Sequence, residues 1–113
     1  MKTITNLAAQ GDVLIQATDA IPEDSIKAKR TSGGFIVVES ETHHHHMVSN
    51  RRVEMFMDGK DPLVCYLRVE GDYADLVHHR DVNPHETIRL PKGCYRIRRQ
   101  REWTPEGWRV VND

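Results

Sequence analysis

Short runs in which apolar and polar residues alternate dominate the chain, and their period of two is that of half-buried strands. Gly11-Asp12 precedes Val13-Leu14-Ile15-Gln16-Ala17, which reads as a first strand. Residues 18–34 read as a connection carrying Pro22, an acidic pair and Ser32-Gly33-Gly34. Within it Ser25 to Arg30 spans one helical turn with little apolar face to bury. Phe35-Ile36-Val37-Val38 is strongly β-forming, and Val53 to Met57 ends at the turn Asp58-Gly59-Lys60-Asp61-Pro62. Leu63 to Val69 is predicted as the longest apolar strand, stopped by Gly71-Asp72, with a short strand over Ala74 to His78. Thr87 to Leu90 enters a predicted turn at Pro91-Lys92-Gly93, Cys94 to Trp103 returns, and Trp108 to Val111 closes the set. About eight strands at spacings near ten residues predict a small antiparallel barrel or sandwich. No repeat or linker divides the chain, so residues 1–113 are expected to form one all-β domain, with 1–10 a flexible or edge segment.

Composition adds one anomaly. Lys and Arg number 16 against 17 Asp and Glu, and four of the seven histidines form the run His43 to His46. The net charge of −1 becomes +6 when all seven are protonated, so the surface potential depends on pH near neutrality. No apolar run approaches the ~18 residues of a membrane span, and the N-terminus lacks a signal-type apolar stretch. A soluble, cytoplasmic protein is expected. Charge is uneven: residues 1–85 carry 9 basic and 13 acidic groups, and residues 86–113 carry 7 and 4. Cys65 and Cys94 sit beside apolar neighbours outside any CxxC pair, which suits packed, reduced thiols better than a disulfide or a thiolate ligand.

If the histidine run is extended, His44 and His46 share one face and His43 and His45 the other. Imidazoles at i and i+2 can lean onto one divalent ion, but such an ion needs more than two protein ligands. His78, His79 and His85 follow downstream around Asp81, and a second strand could bring them opposite the pair. An exposed polar run and hydrogen-bonding, pH-sensitive histidines are the competing readings.

Several segments taken together carry a resemblance. They are Gly11-Asp12-Val13-Leu14-Ile15, Thr42 to Val48, His85 to Ile97, and Gln100-Arg101-Glu102-Trp103. Their order resembles a group of small, uncharacterised bacterial and phage proteins. That group joins a GDVL-type opening to G-H-x-H-x-[IV], a later histidine and a closing Q-R-E-[YW]. The resemblance implies that His44 and His46 are the paired positions, with His43 where the group prefers Gly, and that His85 is the later histidine. His79 is the nearest match to a further one. The pattern is similar to a reduced cupin, in which HxH and a later His hold a metal inside a β-barrel. The Glu expected after HxH and the second cupin motif are both missing here. Zn²⁺, Fe²⁺, Mn²⁺ and Ni²⁺ all suit such a set.

On the last long strand, alternation puts Tyr95, Ile97, Arg99, Arg101 and Trp103 on one face and Arg96, Arg98, Gln100 and Glu102 on the other. Tyr95 and Ile97 should face the core. Glu102 and Gln100 are the candidate catalytic groups, Glu102 as a base or as the partner of a ligating histidine, with Glu86 a further candidate. Arg96, Arg98, Arg99 and Arg101 are the candidate anion or nucleic-acid contacts. Three functions follow: a histidine-ligated metal protein, enzymatic or not; a non-enzymatic accessory protein, self-associating or bound to a protein partner; and a weak nucleic-acid binder.

Overall fold

The computed structural model describes residues 2–38, 45–78, 87–99, 101–104 and 107–110, the last two stretches as backbone. Every regular element among them is a strand. In chain order these are β1 (Lys2–Thr3), β2 (Leu7–Gln10), β3 (Val13–Thr18), β4 (Ile26–Lys27), β5 (Phe35–Val38) and β6 (His46–Val48). β7 (Val53–Met57), β8 (Val64–His78), β9 (Ile88–Arg99), β10 (Arg101–Thr104) and β11 (Gly107–Val110) follow. The all-β expectation holds, and the helical turn considered over Ser25 to Arg30 is instead the short strand β4, paired with β7.

The fold is built on the β8–β9 ribbon, which runs antiparallel from Val64↔Arg98 to Leu76↔Ile88. Beyond β9, β3 pairs with its second half and β1 runs parallel to its start. Beyond β8, β7 takes the first half and β6 the second. The β2–β3 and β5–β6 hairpins extend the sheet outward.

Neither the expected strand end at Gly71-Asp72 nor the expected turn at Pro91-Lys92-Gly93 is found, since β8 and β9 run through them. Gly71-Asp72 and Pro91-Lys92-Gly93 lie opposite each other inside the ribbon, where the register shifts between Val69 and Tyr73. Both strands bend together there. Pro91 lacks a ladder donor and Gly93 takes φ 147°, so both residues suit a bulge. The bend curls the sheet around one core that includes Val13, Ile15, Val37, Val48, Leu67, Leu76, Leu90 and Ile97.

The expected closure into a barrel does not occur: among the described residues no backbone ladder joins the sheet's edges. Side chains cross the seam instead. Cys65 Sγ lies 3.7 Å from the Val37 carbonyl, and Gln10 Nε2 donates to the Leu76 carbonyl at 2.8 Å. β10 and β11 form a separate hairpin.

Candidate functional site

The seam is polar at one end, and local sequence explains why. β2 exposes Leu7 and Ala9 and buries Ala8 and Gln10. A two-residue loop follows, with Gly11 at φ 55°, and it leaves Asp12 2% exposed. In β6 the alternation buries His46 and Val48, and late in β8 it buries Ala74, Leu76 and His78. The register sets His46 directly opposite His78. Their rings stack with centroids 4.0 Å apart and planes 13° apart.

His46 is fully buried and held at both nitrogens. Nδ1 lies 2.7 Å from Gln10 Oε1, and Nε2 lies 3.2 Å from Asp12 Oδ1. The Gln10 amide is oriented by its bond to Leu76, which leaves its oxygen toward the ring, so Nδ1 donates. Asp12 Oδ2 accepts from Arg99 Nε at 3.0 Å. Asp12 thus joins Arg99 to His46 in one hydrogen-bonded chain, and in low dielectric an unpaired polar member would be costly.

Of the expected metal ligands, the structure places His46 in this cluster, while His44, His79 and His85 lie outside the described residues. So do His43, Glu86 and Gln100. His45 precedes β6 and is half-buried, so the described part of the histidine run enters a strand only at His46. Glu102 and Arg101 lie on the β10 backbone, paired with Arg109 and Val110.

The basic strand is divided. Tyr95 and Ile97 face the core, and Arg99 shares their face. Arg98 stands on the other face, 3.5 Å from Asp61. Arg96 lies beside Tyr66 there, whose hydroxyl is shifted upward by burial and by its bond to Asp58. Arg96, Arg98 and Arg99 thus do not make one surface patch.

Sequence reasoning missed Gln10 and Asp12 and took Arg99 for an anion or nucleic-acid contact rather than a partner of a buried acid. The parity that sends Tyr95 and Ile97 inward also sends Arg99 inward, and an inward arginine requires a buried acid. That signal was present, although nothing local pointed to Asp12. Among the described residues no cluster of three or more His, Cys, Asp or Glu is set to hold a metal ion.

Both cysteines carry free thiols. Burial pushes the Cys65 thiol up to about 12, so it is an inert wall group.

The fold and this cluster define a small, open-sheet β domain with a buried histidine–carboxylate–arginine chain. Residues 9–100, which contain Gln10, Asp12, His46, His78 and Arg99, match the family described as a domain of unknown function, DUF8820, and the chain belongs to it. No curated protein and no solved structure matches it. Among the described residues, no helix is long and apolar enough to cross a membrane.

Proposed function

We propose that the protein binds one divalent ion at the corner where β6 begins and β8 ends, with His44, His46, His79 and His85 as its ligands. The carrying observation is the cross-strand pairing of His46 with His78. It sets the start of β6 beside the end of β8, and the sequence next to these two points, 43–46 and 78–85, contains all seven histidines. Asp12 supports the same reading, because a ligating imidazole commonly gives its second nitrogen to a carboxylate. A ligating imidazole must be deprotonated at the nitrogen that holds the ion, so binding weakens in acid. Zn²⁺, Fe²⁺, Mn²⁺ and Ni²⁺ suit imidazole ligands, and the reaction, if there is one, is unassigned.

Metal analysis of untagged protein purified without chelator tests this. Near-stoichiometric metal that is lost in His44→Ala/His46→Ala supports it. Substoichiometric metal, unchanged in that variant, refutes it.

A second reading rests on the two hydrogen bonds already made by His46. There His46 is a structural clamp across the seam of a non-enzymatic accessory protein, of bacterial or phage origin. Folding that depends on His46 without any bound metal would favour it.

A further inference from the structure

A groove of about 550 Å³ lies between residues 27–30, Phe35 of β5 and the start of β7. It shares no residue with the histidine corner, and its volume is within the ~300–1,000 Å³ typical of small-molecule sites. Buried Phe35 and Val53 supply its apolar wall. Lys27, Lys29 and Arg30 bring positive charge to it, and Glu54 is its one acid among the described residues.

That acid is already engaged. Glu54 Oε2 lies 2.7 Å from Lys27 Nζ, and Oε1 lies 3.3 Å from Arg68 Nη1. Neither Lys29 nor Arg30 has an acidic partner among the described residues. Arg30 is nevertheless fixed. Its Nη1 donates to the Asn50 carbonyl at 2.6 Å, and its Nη2 donates to the Ser49 carbonyl. The guanidinium carbon sits over the Phe35 ring, 5.5 Å from the centroid. Both acceptors are neutral, so the Arg30 charge is held in place without being balanced.

The plane of Arg30 is thus set by two carbonyls at its edge and a ring beneath it. Its other face, on an exposed residue, is a flat cationic surface suited to stacking on an aromatic ring. Arg51 and Arg52 are exposed on the same loop that Arg30 holds, and they add positive charge next to Asn50. This excess stands on a chain whose net charge is −1.

We propose that this groove binds a phosphate group carried on a flat aromatic body, the chemistry of a nucleotide. Lys29 meets the phosphate, and the open face of Arg30 stacks on the aromatic body. A free mononucleotide and a single strand of nucleic acid share this chemistry. The site needs no ion at the histidine corner.

Calorimetric titration of the full chain with AMP, adenosine, inorganic phosphate and a short oligo(dA) tests this. AMP should bind about tenfold tighter than adenosine or phosphate alone, and added salt should weaken it. Chelator should leave the affinities unchanged. Lys29→Gln, at an exposed position without a partner, should weaken AMP about tenfold while the unfolding midpoint is kept. Arg30→Lys keeps the charge but removes the plane, and should bring AMP down toward phosphate. Oligo(dA) binding tighter than AMP, with a steeper salt dependence, marks the strand as the ligand, and oligo(dA) no tighter than AMP marks the free nucleotide. Equal affinities for AMP and adenosine, no binding of AMP or oligo(dA), tighter binding of an oligoglutamate peptide, or indifference to Lys29→Gln would each overturn the proposal.

Discussion

Asp12 and His46 are 34 residues apart in sequence, yet Oδ1 of the one stands 3.2 Å from Nε2 of the other inside the fold. The contact joins the β2–β3 loop to the start of β6 across a seam that no backbone ladder closes among the described residues. Asp12 also holds Arg99, so one buried carboxylate secures two elements.

Replacing Asp12 by Ala should therefore destabilise the protein by about 3 kcal/mol or more, because Arg99 loses its buried counter-charge and His46 a hydrogen-bond partner. Urea unfolding measures it. A change below about 1 kcal/mol would mean that this hydrogen-bonded chain does not hold the seam.

Gln10→Ala leaves the Leu76 carbonyl and His46 Nδ1 without this amide. A loss of about 1–3 kcal/mol is expected in the same assay. Gln10→Glu, by contrast, keeps an acceptor toward His46 and removes the donor toward Leu76, so its loss should be smaller than that of Ala.

Two glycines should respond differently to Ala. At Gly34, φ is 109° and a Cβ would lie 2.2 Å from the Val48 carbonyl oxygen and 2.7 Å from Ser49 Cα. Backbone strain and a clash with backbone add, and a loss of at least about 3 kcal/mol is expected. At Gly93, φ is 147° with nothing within 4 Å of the added atom, which leaves strain alone, about 1 kcal/mol. Thermal unfolding of both variants checks the order.

The Lys27 ammonium, 2.7 Å away, is the largest cause holding Glu54 at about 2, below its ordinary 4.5. A lowered folded-state value stabilises above pH 4.5, and that contribution is lost as pH falls toward 2. Lys27 is 64% exposed and Glu54 24%, so solvent screening limits the effect to about 1 kcal/mol. Glu54→Gln should remove that part of the acid dependence in stability measured between pH 5 and pH 2, and change little near neutrality beyond the same 1 kcal/mol.

With its thiol at about 12 and its side chain buried, Cys65 should stay unlabelled by iodoacetamide at pH 8 in the folded protein while half-buried Cys94 reacts first. Peptide mass mapping reads this, and denaturant should release the Cys65 label.

The strands were legible because their period of two is a local property: Val13 to Ala17, Phe35 to Val38 and Val53 to Met57 all lie within strands, close to where alternation put them. The bend at Gly71 and Pro91 was not, because Gly and Pro signal a departure from regular backbone without saying whether the chain turns back or bulges. Only the facing strand decides that. Closure was overestimated for a similar reason, since strand number does not fix whether edges meet. At the site, parity put Arg99 on the face of Tyr95 and Ile97, but the partners Gln10 and Asp12 come from the other end of the chain. Long-range charge pairing leaves no trace in local spacing.

The central claim is an ion at the His46–His78 corner. Nitrogen-detected NMR of the imidazole rings during Zn²⁺ titration of metal-free protein tests it most directly. The account predicts saturation at one equivalent, with the His46 ring nitrogens shifting in step with those of a second histidine while Asp12 keeps its contact to His46. Shifts confined to His43 and His45, or continuing past several equivalents with His46 unchanged, would contradict it.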